Sequence, residues 1–391
     1  MFNLSKTELE TLGAEITTRE IKQQPELWQE AFEYFLQNKE SIDAFLNRVN
    51  ESANGEKIKV IFTGAGTSEY VGNSIWSYLQ TYGNRDRYLF SSIASTDLVA
   101  APHYYLYEED TVILVSFARS GNSPESVASV DLASQLVTNC YHLTITCAKE
   151  GQLAKNAVND DRNLLLLMPS RSNDAGFAMT GSFSCMMLTA LLIFDQQFDL
   201  KEKQRILTHM QVMANDIIQR EAELKALTNL DFERLVYLGS GSLAGLTREA
   251  QLKMLELTAG KVATVFDSSM GFRHGPKSFV NGKTLVIDFV NNTPYVRQYD
   301  LDILEEVYAD GIALKTLAIG QIGDMNFSGD RFDLISDVLL PDVYLAFPMI
   351  LTAQALALLT SVKNHNLPDT PSASGTVNRV VKGVTIHPYQ A

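Results

Sequence analysis

Basic residues, cysteine and long apolar runs are all scarce in this chain. Lysine and arginine number 32 against 46 aspartates and glutamates, which leaves a formal net charge of −14 and no basic cluster. That balance argues against a nucleic-acid partner, and any anionic ligand must be held by locally arranged donors. The three cysteines, Cys140, Cys147 and Cys185, are odd in number and form no CxxC pair. Neither a disulfide framework nor a structural zinc site is therefore expected, and a reducing compartment fits. Of the six histidines, His103, His142, His209, His365 and His387 share no metal-ligand spacing, so no metal is expected. The N-terminus, MFNLSKTELE, lacks the basic stretch and apolar core of a signal peptide. The most apolar late segment, residues 344–359, is interrupted by Pro348, Thr352 and Gln354. It is too short for a bilayer span and reads as a buried or interface helix. No Gly-x-Ser-x-Gly nucleophile elbow occurs. The expectation is a soluble cytoplasmic protein with no membrane partner.

What is present is a large apolar fraction, 46%, in 391 residues, enough for two domains with their own cores. Residues 1–50 look helical. Pro25 starts one helix, with Leu27, Trp28, Ala31, Phe32 and Phe35 at helical spacing. Ile42, Phe45, Leu46 and Val49 mark a second amphipathic helix. From residue 58 strands alternate with helices: strands at 59–63, 89–92, 111–117, 142–146 and 163–168, then an apolar helix at 182–194. After a polar, helix-rich stretch near 200–230 the pattern restarts, with strands at 234–238, 284–289 and 313–319. Buried strands separated by helices argue for parallel sheets covered on both faces, an α/β fold. The order strand, Gly-x-Gly, helix occurs twice, at GAGTS (64–68) and at GSGSL (239–243), which marks an internal duplication. The expected division is residues 1–50 as a helical segment, 51–205 as one α/β domain and 206–391 as the second with a C-terminal tail.

The stretch 111–137 carries the first functional signal. A continuous β-branched apolar run leads into the polar loop Arg119-Ser120-Gly121-Asn122-Ser123, and Pro124 sits at a first helical position with Ser123 in the N-cap place. Such a loop gathers backbone N–H groups, hydroxyls and the positive end of a helix dipole, which suits a phosphate. An ordinary serine-capped turn would look the same. The G-x-G-x-x-G dinucleotide pattern fails in both copies, because Glu69 and Ala244 stand where the third glycine belongs, so NAD and FAD are rejected and no cofactor is expected. On the helix of the second copy, Glu249, Lys253 and Glu256 fall at i, i+4 and i+7 beside the apolar stripe of Leu243, Leu246, Ala250, Met254 and Leu257. Spacing alone favours a solvated Glu–Lys pair there. His274, between Arg273 and Gly275-Pro276, is placed as a proton shuttle or simply as a surface histidine.

Taken together, the SGNS loop, the Lys-x-x-Glu helix and the HGP loop resemble the double-SIS (sugar isomerase) phosphosugar proteins over nearly the whole chain. REIKQQP (19–25) is similar to the segment that precedes the isomerase half of glucosamine-6-phosphate synthase. FARSGNSPES with FRHGPKS resembles most the galactosamine-6-phosphate deaminase group, whose members are often labelled tagatose-6-phosphate ketose/aldose isomerases. The resemblance implies two tandem SIS domains, each a mostly parallel sheet in a three-layer αβα arrangement, preceded by N-terminal helices. It places the substrate phosphate on Gly66, Ser68, Ser120 and Ser123, with Arg119 compensating for Ala118, where the family has a serine. It makes Glu256 the general base, Lys253 its helper and His274 the ring-opening histidine, reaching the site from the other subunit of a homodimer, or of a tetramer. Lys382 takes the place of a substrate-facing lysine.

The implied reaction converts D-galactosamine 6-phosphate into D-tagatose 6-phosphate and ammonia. Two alternatives stay open: an aldose–ketose isomerase acting on a hydroxy sugar, and a non-catalytic sugar-phosphate sensor. A complete glutamine-dependent synthase is not expected, since no glutamine-hydrolysing domain precedes residue 58.

Overall fold

The computed structural model describes residues 1–390 apart from 159, 322, 324, 325, 376 and 382. It divides into two compact units, one made of Glu26–Asp174, Gly181–Lys203 and Val377–Ala391, the other of Met1–Pro25, Ala175–Thr180 and Gln204–Thr376. This partition departs from the consecutive segments expected from sequence. The first residues join the second half of the chain, and the tail joins the first half. Polar contacts over long sequence separation accompany this exchange. Asp369 accepts from the amides of Ile16 (3.0 Å) and Thr17 (2.8 Å), and Gln24 donates to Gln354 (2.6 Å). In the other unit, Arg379 Nε donates to the Asp174 carbonyl (3.0 Å).

The first unit is built on β1 (Ile58–Thr63), β2 (Tyr88–Ser92), β3 (Thr111–Ala118), β4 (Asn139–Thr146) and β5 (Asn163–Leu167). All ladders are parallel, in the order β2-β1-β3-β4-β5. Every residue of β3 is buried, which is why its sequence is almost wholly apolar and does not alternate. Val112 and Leu114 face one way, into a core with Ile61, Val130 and Ala133. Phe117 faces the other way and stacks on Phe62 (centroids 5.8 Å apart), which meets Phe194 of the helix Gly181–Phe194 edge-on (5.8 Å). Each fully buried phenylalanine stabilises by about 1.5–3 kcal/mol. Where two N-terminal helices were expected, one helix runs from Gln24 to Ser52. The polar stretch that suggests a break is bridged by an i, i+4 ion pair between Lys39 and Asp43 (2.6 Å).

The second unit holds β6 (Arg234–Gly239), β7 (Ala263–Ser268), β8 (Thr284–Phe289), β9 (Lys315–Gln321) and β10 (Asp330–Leu334). Read from the β7 edge, its order is β7-β6-β8-β9-β10, again wholly parallel and the same order as in the first sheet. Val236, Leu238 and Val286 pack with Ile303 and Val307 on one face, while Tyr237 stacks on Phe289 (5.4 Å). The apolar segment near 350 forms a helix longer than its sequence suggested, Asp342–Lys363. By length and composition it could cross a membrane, but 94% of its most apolar window is buried inside the protein. It packs along the helix Ser242–Leu257.

Candidate active site

In the first unit, β1 turns directly into the helix Thr67–Tyr82. A Cβ at Gly64 would lie 2.6 Å from the Ser68 backbone, and Gly66 takes φ +58°, so both glycines are required for the turn. The second unit repeats this geometry: Gly66 has φ/ψ of 58°/−129° and Gly241 of 63°/−132°, each at the N-cap of a helix of 16 residues. The duplication seen in sequence is thus also a duplication of backbone.

Strand β3 lies beside β1, with Ser116 opposite Thr63, so the loops after the two strands leave the same edge of the sheet at the point where strand order reverses. Open α/β sheets take ligands at that point. Gly66 and Ser68 stand on the first loop and helix start, and Arg119, Ser120 and Ser123 on the second. Ser123 is half-buried at the N-cap of the helix Pro124–Leu136, yet its side chain makes no capping bond. The loop is braced from outside: the Gly121 carbonyl accepts from Leu153 N (3.0 Å), and Asn122 Oδ1 accepts from Gln152 N (2.9 Å). Arg119 is buried, and its Nη2 donates to the Arg379 carbonyl (2.6 Å), so part of its hydrogen-bonding capacity goes to the tail. Among the described residues, no hydrogen-bond partner meets the buried hydroxyls of Thr63 and Ser116, near the ends of β1 and β3, or of Ser95, which opens the helix after β2. Sequence reasoning passed over all three. For Thr63 and Ser116 the signal was a hydroxyl near the carboxyl end of an otherwise apolar strand.

The double substitution Ser120→Ala, Ser123→Ala is expected to raise KM for a phosphosugar at nearly unchanged stability, because no cap bond is lost. Equal KM and equal affinity for a phosphosugar in calorimetry would remove these serines from the phosphate site.

In the second unit, the charged row on the helix Ser242–Leu257 is not solvated, contrary to what its spacing favoured. The side chains of Glu249 and Lys253 are fully buried, and only Glu256 is partly open, at 22% exposure. Lys253 Nζ lies 2.7 Å from Glu256 Oε2 and 3.3 Å from Glu249 Oε1. Burial by itself pushes the ammonium pKa of Lys253 down, but the two carboxylates outweigh it and the net shift is upward. Lys253 is therefore charged at neutral pH and fixes the one reachable carboxylate. The row borders the apolar stripe, and this unit closes over that border.

His274 is exposed, in a loop fixed on both sides: Arg273 Nε meets Glu306 Oε2 (2.6 Å), and Lys277 meets Glu306 (2.5 Å) and Asp310 (2.6 Å). Among the described residues, nothing forms a hydrogen bond or ion pair with its ring. Lys382 lies outside the described residues. Burial pushes the thiols of Cys140 and Cys147 up to about 12 and holds His142 down to about 4, so these are core groups. Among the described residues, no cluster of three or more His, Cys, Asp or Glu could hold a metal ion.

Residues 55–194 match the family profile described as SIS domain, which sets the class to which the first unit belongs. The chain is 44% identical over 385 residues to "D-galactosamine-6-phosphate deaminase AgaS" of Escherichia coli O157:H7, covering 96% of each chain. The solved structure of tagatose-6-phosphate ketose/aldose isomerase from Escherichia coli superposes with a TM-score of 0.87 at 40% identity, over 96% of this chain and 97% of that one. The C-terminal domain of glucosamine-fructose-6-phosphate aminotransferase from Francisella tularensis shares the fold, with a TM-score of 0.73 at 17% identity, over 89% and 96%. The chain belongs to the SIS-domain phosphosugar family, within the group of the AgaS D-galactosamine-6-phosphate deaminases.

Proposed function

We propose that this protein is a deaminase/isomerase that converts D-galactosamine 6-phosphate into D-tagatose 6-phosphate and ammonia. One observation carries the reading: a single partly open carboxylate, Glu256, is held by a fully buried lysine on a helix of the second unit. The hydroxyls of Ser68, Ser120 and Ser123, with the amides at the two helix N-termini of the first unit, bind the phosphate. His274 opens the sugar ring. Glu256 then takes the proton from C2 of the open aldehyde, which leaves an enolamine, and returns it to C1. The product of that transfer is a ketose imine. Water adds to its C=N bond and ammonia leaves.

The deciding experiment offers a panel of hexosamine 6-phosphates and their hydroxy counterparts. Ammonia and tagatose 6-phosphate in equal amounts are expected from galactosamine 6-phosphate. The name of the Escherichia coli structure favours a second reading, aldose–ketose isomerisation on the same carboxylate. Fast interconversion of a 2-hydroxy aldose and its ketose, with no ammonia from any amino sugar, would establish that reading instead.

The exposed, unengaged ring of His274 supports a homodimer in which each subunit lends this histidine to the other's site. Mixing inactive Glu256→Gln and His274→Ala proteins should restore part of the activity in hybrid dimers. Subunit exchange without any return of activity would rule out sharing.

A further inference from the structure

Because the two sheets share one strand order, the positions at their carboxyl ends can be matched. Gly64 and Gly239 follow or end the first strands, and their carbonyls accept from the amides of Ser95 (2.7 Å) and Ser269 (3.2 Å). Strand register sets Ser116 opposite Thr63 and Asp288 opposite Leu238. Ser123-Pro124 and Thr293-Pro294 open the helices that follow β3 and β8. The chemistry at these matched positions is reversed. In the first unit, Ser95 and Ser116 are buried hydroxyls with no partner among the described residues. In the second, Ser269 Oγ lies within hydrogen-bonding distance of Asp288 (3.0 Å) and of Asp300 (2.6 Å), and Asp300 also receives Ser240 Oγ (2.5 Å) and the Asn291 amide (2.9 Å).

A third carboxylate completes the contrast. Asp342 Oδ2 accepts from the Ser242 amide at the start of the helix Ser242–Leu257 (3.1 Å) and from Asn291 Nδ2 (3.2 Å), while Oδ1 accepts from Val343 N (2.9 Å). A Cβ on Gly241 would stand 2.8 Å from Oδ2, so the carboxylate is set against bare backbone.

We propose that Asp342 is a built-in anion: its carboxylate fills the cradle whose counterpart in the first unit receives the substrate phosphate, and so positions the helix that bears Lys253 and Glu256. An anion at a helix N-terminus satisfies free amides and opposes the helix dipole. With that place taken, the Ser242 amide is no longer free for a second anion. The same long helix also fastens the far end of its neighbour. Ser361 Oγ donates to the Leu257 carbonyl (2.5 Å), and Asn366 Nδ2, just beyond the helix, donates to the same oxygen (2.8 Å). Glu256 precedes that anchor by one residue. The helix is thus held at both ends, and Asp342 is a positioning residue that never meets the substrate. The kinetic part of this inference rests on Glu256 as the base. The occupied cradle does not.

The test is Asp342→Ala with and without sodium formate, a carboxylate small enough to replace the lost group. Turnover should fall by about 10–100-fold, since small misplacements of a catalytic group have effects of that size. KM should stay within about twofold. Formate should raise the Tm of Asp342→Ala by linkage, restore part of its turnover and leave the wild-type Tm unmoved. Wild-type turnover in Asp342→Ala, or an equal formate shift in both proteins, overturns the proposal. Should the alanine variant fail to fold, Asp342→Asn decides, because it keeps an acceptor oxygen for Ser242 and Asn291 and loses the charge together with the acceptor for Val343 N. It is expected to fold and to lose turnover several-fold at constant KM, and full activity in it sinks the positioning role. A selective formate shift in a protein that turns over no sugar phosphate would uphold the occupied cradle and refute the reading of Glu256.

Discussion

Glu256→Gln should reduce turnover by about 10²–10⁴-fold and leave the affinity for substrate nearly unchanged. Glutamine keeps the size of the side chain and an oxygen able to accept from Lys253 Nζ, now 2.7 Å away, but it cannot take a proton at neutral pH. The measurement is steady-state kinetics with binding followed separately by calorimetry. Solvent deuterium should enter C1 of the ketose in the wild type, to the extent that the abstracted proton exchanges on the carboxylate. Full activity in Glu256→Gln would remove proton transfer by this residue from any mechanism, deaminating or isomerising. A loss confined to KM would instead make Glu256 a binding group.

Lys253→Met should be the most damaging single change to stability. The side chains of Lys253 and Glu249 are both fully buried, so the methionine would leave a carboxylate without its counter-charge in a closed site. Breaking a buried pair from one side costs about 3–5 kcal/mol. The sign of the pH effect follows from the raised pKa of Lys253. Its contribution is complete below the unfolded lysine pKa and fades only as pH rises through the higher folded value, so neutral conditions show the full loss. Denaturant unfolding in the absence of substrate is the measurement. The double variant Lys253→Met, Glu249→Gln should regain much of the stability and none of the turnover. A loss below about 1 kcal/mol in the single variant is what an exposed pair gives, and it would contradict the burial.

The strands that sequence made visible are mostly those covered on both faces. Strand β3, with every residue buried, is apolar but for the hydroxyls of Thr111 and Ser116, and β8 was delimited to the residue. The two strands passed over, β7 and β10, are edges of the second sheet. ATVFDS and DRFDL mix charged and polar residues with apolar ones because one side of each meets solvent or loop, as edge strands require. The site shows the same division. Loop composition announced Ser120, Ser123 and His274 as candidates, since hydroxyls, a histidine and Gly-Pro stand out locally. It could not announce that Lys253 is buried, because helical spacing fixes the face on which a side chain lies and leaves open what covers that face. Asp342 was equally hidden. Nothing local distinguishes it from any acidic residue at a helix start, and its partners Ser242 and Asn291 lie far away along the chain.

The closed environment of Lys253 also has a consequence for descent. One ammonium between two carboxylates, with the lysine and one acid shut from water, is a charge arrangement in which loss of either buried member alone leaves the other without its full balance. A lineage that lost the lysine first would carry an orphaned carboxylate in its core. One that lost Glu249 first would carry a lysine balanced only by the acid at the mouth of the site. Positions 249, 253 and 256 should accordingly be inherited as a block, kept together in relatives that retain the chemistry and abandoned together in those that do not.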